Sequence, residues 1–185
     1  MKNYWQNAVT FDEYIKETER RIEVQNPEDD HNEYYELGLQ RMNRTLKTYK
    51  VDEEQLETLK SKNFNGKILI ITEPWCGDAS ATVPAVSKFF EGHNEVRIFY
   101  RDSDTSLIDQ FLTNGTQSIP KILILNEDFS LKNVWGPRPQ YGTELLKKFK
   151  ENPETYPREE FYNDLQVYYA KNKGKDAIQE ILDLL

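Results

Sequence analysis

The chain has a single cysteine, Cys76, and its placement invites thiol chemistry. It follows an uninterrupted apolar run, Ile68-Leu69-Ile70-Ile71, and precedes a helix-like stretch from Asp78 to Phe90. A short β-branched run of that kind reads as a strand buried on both faces. Glu73-Pro74-Trp75 supplies the turn between them. A cysteine at a helix start meets unpaired backbone N–H groups and the positive end of the helix dipole, which favour the thiolate. Asp78, two residues on, acts the other way, because a nearby negative charge raises a thiol pKa.

Other chemistry finds less support. His31 and His93 lie in separate contexts and read as surface histidines, and neither has metal-ligand spacing to Cys76. His93 follows Gly92 at the far end of the helix, about 20 Å from Cys76 at 1.5 Å per residue, too far for a Cys-His pair. Gly66 and Gly77 are isolated, so no phosphate-cradling loop is present. Asp102 and Asp104 read as a loop and helix cap. With 32 acidic against 24 basic residues, the net charge of −8 argues against nucleic acid as a partner. No apolar stretch approaches the ~20 residues of a membrane helix, and the opening residues carry no export pattern. One unpaired cysteine suits a reducing compartment. The expectation is a soluble, cytoplasmic protein.

The elements that must hold Cys76 can be read around it. Residues 1–63 read as a helical N-terminal extension packed on the core. Thr10 and Glu13 form a capping box, and Tyr35, Leu39, Met42, Leu46 and Tyr49 make a helical stripe. Residues 64–185 read as the main domain with further C-terminal helices. Val96–Tyr100 is a second strand, and Asp102-Ser103-Asp104 caps a helix over Leu107–Leu112 that Asn114-Gly115 closes. Lys121–Leu125 and Leu131–Trp135 form a hairpin across Asn126-Glu127-Asp128. Helices are expected near 142–151, 158–172 and 175–185. The order implies an α/β fold with a mixed sheet covered by helices.

That order and several local signatures resemble thioredoxin. Trp75-Cys76-Gly77-Asp78-Ala79 resembles the family's Trp-Cys-Gly-x-Cys, and Pro84 matches its helix-bending proline. Ser118-Ile119-Pro120 resembles the cis-proline loop beside the active cysteine. Trp135-Gly136 falls where the family places a glycine near the substrate groove. The resemblance covers roughly residues 65–150, and the added helices resemble a bacterial thioredoxin-like subgroup whose motif is often Trp-Cys-Gly-Asp-Cys. It implies a thioredoxin-like fold, with Cys76 as nucleophile. Trp75, Gly77, Asp78, Ile119, Pro120, Trp135 and Gly136 would line the substrate groove, where an extended peptide could add to the Ile119 edge.

The departures bear on function. The resolving thiol of a dithiol cycle is replaced by Ala79, so a mixed disulfide could be released only by an external thiol. The family's buried acid six residues before the cysteine is replaced by Ile70. Three readings of Cys76 follow. The leading one is monothiol redox chemistry with a protein or low-molecular-weight thiol or disulfide. The second is a redox-inactive binding or scaffold protein using the same groove, and the third is an inert buried cysteine. No cofactor and no metal are implied.

Overall fold

Strand β1 (Lys67–Thr72) lies in the middle of the molecule, and Ile68 through Thr72 are all buried. The computed structural model describes all 185 residues. Four helices precede β1: α1 (Lys2–Asn7), α2 (Phe11–Val24), α3 (Asn32–Thr48) and α4 (Glu53–Ser61). After it come α5 (Gly77–Phe90), β2 (Val96–Tyr100), β3 (Lys121–Leu125), β4 (Leu131–Trp135), α6 (Gln140–Glu151), α7 (Arg158–Asn172) and α8 (Lys175–Leu184). The sheet order is β2-β1-β3-β4. β1 pairs parallel with β2, Ile70 opposite Ile98, and antiparallel with β3, Leu69 opposite Leu123. β4 closes the hairpin with Trp135 opposite Ile122. Together these elements make the mixed sheet and thioredoxin-like order expected from the sequence.

Local chemistry explains most of the boundaries. The Thr10 hydroxyl accepts from the Glu13 N–H while the Glu13 carboxylate accepts from the Thr10 N–H, so the capping box starts α2. Asp52 accepts from the N–H groups of Glu54 and Gln55 at the start of α4. Pro84 sits inside α5, where it has no N–H to continue the ladder. One expectation needs correction. The stretch Leu107–Leu112 forms only a 3₁₀ turn over Ile108–Gln110. Leu107 and Ile108 are both fully buried, and adjacent positions cannot share one face of an α-helix. Asn114 and Gly115 then take positive φ and end the run.

The terminal helices belong to the same core as the sheet. One continuous cluster joins Trp5, Tyr14, Met42 and Leu59 to the β1 and β3 isoleucines and leucines, and to Ile178, Ile181 and Leu182 of α8. A smaller cluster, Tyr156, Phe161, Leu165 and Tyr169, packs α7 against α6. No helix is long and apolar enough to cross a membrane.

Gly38 sets how closely α3 approaches the loop before Cys76. A Cβ there would run into the carbonyl oxygen of Pro74. In an exposed helix Gly→Ala gains about 1 kcal/mol. Here Gly38→Ala is expected to lose about 1–3 kcal/mol through overpacking. Urea denaturation reads the sign directly, and a stabilised variant would mean that Pro74 gives way without cost.

Candidate functional site

The chain leaves β1 at Thr72 and passes through Glu73, which is buried to 1% exposure. Its carboxylate accepts from the Asp102 N–H at 2.8 Å and from Arg21 Nη1 at 3.1 Å. Burial raises its pKa against the pull of these donors. These bonds tie the loop before the cysteine to the end of β2 and to α2. Sequence reading passed over Glu73, although a carboxylate directly after a buried strand and before a proline was a usable signal.

Trp75 follows, half-buried. Its indole N–H donates to Asp102 at 3.2 Å, and its ring stacks on His31 with centroids 4.3 Å apart. The Arg101 guanidinium lies 4.9 Å from its ring centroid. His31, expected as a plain surface histidine, therefore holds the tryptophan in place.

Cys76 is the N-cap residue of α5 and is 8% exposed. Its thiol donates to the Ile119 carbonyl at 3.4 Å. Burial first, and the charge of Asp78 second, push its pKa up to about 12. The backbone N–H groups of Ala79 and Asp78 and the charge of Arg138 pull it down by less. The Ile119–Pro120 peptide is cis, and both residues are buried. Ile119 makes no backbone hydrogen bond through its own N–H.

Asp78 turns inward. Arg138 donates to its Oδ2 through Nη2 at 2.6 Å and Nε at 3.2 Å, and the Tyr169 hydroxyl donates to Oδ1 at 2.6 Å. Burial and then this carboxylate hold the Tyr169 phenol well above its usual range. Arg138 and Tyr169 escaped the sequence reading, since 60 and 91 residues separate them from Asp78.

A cavity of about 770 Å³ opens in front of these residues. Trp75, Cys76, Gly77 and Asp78 line it, with Tyr34 and Arg41 from α3 and Arg158 and Tyr162 from α7. Ile119, Pro120, Trp135 and Gly136 are not among its lining residues. Trp135 is buried, its indole N–H donating to Glu180 of α8 at 2.7 Å. Gly136 has a φ of 115°, and a Cβ there would strike the Pro120 carbonyl oxygen. It therefore lets the β4 end pass close beside the cis-proline loop. No group of three or more His, Cys, Asp or Glu side chains is arranged to hold a metal ion.

A cysteine capping the helix after a central strand, beside a cis Ile-Pro at the head of an antiparallel strand, defines a thioredoxin-like protein. A family model described as thioredoxin matches residues 24–150, and the chain belongs to that family. The matched stretch begins at the end of α2, inside the helical region ahead of the sheet. Among solved structures, the chain is similar to an HIV epitope-scaffold at 15% identity and a TM-score of 0.69, covering 99% of this chain and 95% of that one. It is also similar to a protein of unknown function from Pseudomonas aeruginosa at 17% identity and a TM-score of 0.64, covering 98% and 93%. At these identities the likeness is one of fold. No curated protein sequence matches the chain.

The Asp78 cluster makes a stability test. Arg138→Ala leaves a buried carboxylate with one donor and is expected to cost about 3–5 kcal/mol. Tyr169→Phe removes one charge-assisted hydrogen bond and is expected to cost about 1–3 kcal/mol. Urea denaturation of both variants checks the order, and a loss from Arg138→Ala no larger than from Tyr169→Phe would contradict it.

Proposed function

We propose that this protein is a thioredoxin-fold binding protein whose cleft at Trp75, Cys76 and Gly77 recognises a partner while Cys76 stays a neutral thiol. The observation that carries the reading is the state of the sulfur. It is buried, donates to the Ile119 carbonyl, and has a pKa pushed up to about 12. The thiolate is the nucleophile in disulfide exchange. At pH 7 a thiol with that pKa is almost entirely neutral. Ala79 offers no second thiol. Trp75, Gly77 and Asp78 line the cleft beside Cys76, whose thiol is held by the Ile119 carbonyl. The lone unpaired thiol supports a reducing compartment, the cytoplasm.

Monothiol chemistry is the second reading, supported by the cavity that opens on the sulfur. In that cycle the Cys76 thiolate attacks a protein or small-molecule disulfide, one thiolate leaves, and an external thiol displaces Cys76 from the mixed disulfide.

Alkylation of the folded protein between pH 7 and 10, read by intact mass with Cys76→Ser as control, separates the two. The binding reading expects a rate that climbs about tenfold per pH unit without a plateau, because the whole range lies below the thiol pKa. At pH 8 the rate should be about fortyfold to a hundredfold below that of free cysteine, allowing for the greater nucleophilicity of a basic thiolate. A plateau below pH 8.5, together with a mixed disulfide that an added small thiol removes, would transfer the assignment to monothiol chemistry.

A further inference from the structure

The cavity at Cys76 is one end of a longer groove between α3 and α7. It continues into a second hollow of about 520 Å³ that shares Leu37, Arg41 and Gln166 with it. A smaller hollow of about 100 Å³ carries on to Thr48 and Lys173. From Tyr34 to Thr48 the α3 wall runs about 20 Å at 1.5 Å per residue.

Two features of the walls are unusual for a solvent-facing surface. Of the nine large apolar or aromatic side chains exposed on the molecule, four line this groove: Tyr34 and Leu37 from α3, Tyr162 and Val167 from α7. Such a concentration marks an interaction surface more than a random scatter does. The second feature is charge. Arg41, Arg44 and Lys173 take part in no ion pair, although the protein carries a net charge of −8. Arg158 donates only to the Tyr162 hydroxyl, at 3.3 Å. Arg41 is half-buried, with one Nη within 3.6 Å of where a Cβ on Gly77 would stand. Of the two carboxylates lining the groove, Asp78 is engaged by Arg138 and Glu159 is unpaired. The surroundings of this groove are cationic on an acidic protein.

We propose that the α3–α7 groove docks an acidic peptide segment with apolar side chains, presented by a partner protein, an inference that rests on the binding reading of the Cys76 cleft and extends it. About 20 Å corresponds to roughly six residues of extended chain at 3.3 Å each, more than a single small anion would fill. Carboxylates would meet the guanidinium groups bidentately, and apolar side chains would cover Leu37, Tyr162 and Val167.

The test is selection of a displayed random nonapeptide library on the intact protein, followed by anisotropy titration of the enriched peptides. Enrichment of peptides combining Asp or Glu with aromatic or aliphatic residues is expected. Binding should weaken as salt rises. The double variant Arg44→Glu/Arg158→Glu should lose about tenfold or more in affinity. Both residues are exposed and free of ion pairs, and an unchanged thermal melt by circular dichroism confirms that the variant is folded. Enrichment of basic or neutral peptides, no enrichment, or affinity indifferent to the double variant overturns the proposal. So does a self-associated dimer in sedimentation that the double variant dissolves, because a second copy would then fill the groove. Acidic enrichment with a reactive Cys76 supports the groove while removing the redox-silent reading. An unreactive Cys76 without acidic enrichment overturns the groove alone.

Discussion

The buried carboxylate of Asp78 is the constraint on which the site depends. Its side chain is 9% exposed and that of its partner Arg138 is 16% exposed. Removing such a pair from water costs several kcal/mol per ion, recovered only when the geometry is close and the remaining lone pairs are satisfied. Here they are, by two nitrogens of Arg138 and by the Tyr169 hydroxyl. The donors come from different parts of the chain, the segment between β4 and α6 and the last turn of α7. One carboxylate at the first turn of α5 thus draws the hairpin end and a C-terminal helix onto the start of the cysteine helix.

The same charge adds to burial in raising the pKa of the sulfur. A cysteine at a helix N-terminus beside a guanidinium sits in surroundings that lower thiol pKa values elsewhere. In this protein those contributions are outweighed, because burial withdraws the solvation a thiolate needs and Asp78 adds repulsion. The position of the thiol is that of a thioredoxin nucleophile, while its environment is that of a small buried hydrophobe donating to a carbonyl.

The helices outside the sheet do more than cover it. α3 brings Gly38 against Pro74 and presents Tyr34, Leu37 and Arg41 to the cavity, while α7 forms the opposite wall. The matched stretch of the family model ends at residue 150, within α6, so α7 lies beyond it. One wall of the groove therefore comes from a part of the chain that the common thioredoxin pattern does not describe.

Much of the architecture was legible in the sequence because it rests on local rules. The apolar run of β1, the Thr10–Glu13 capping box, the α3 stripe and the hairpin at Asn126-Glu127-Asp128 follow from periodicity and capping alone. So does the location of Cys76 between a buried strand and a helix start. The 3₁₀ turn at Ile108–Gln110 departed from its helical reading because the core claimed two adjacent side chains. What only the tertiary structure decided was the site's surroundings. Trp135, read as a groove residue, packs toward α8 with Glu180 as its partner. Arg138 and Tyr169 reach Asp78, and His31 reaches Trp75, across separations that no spacing rule connects. A residue's type and local placement are properties of a few neighbouring positions in the chain. Its burial, partners and protonation depend on which distant segments fold against it.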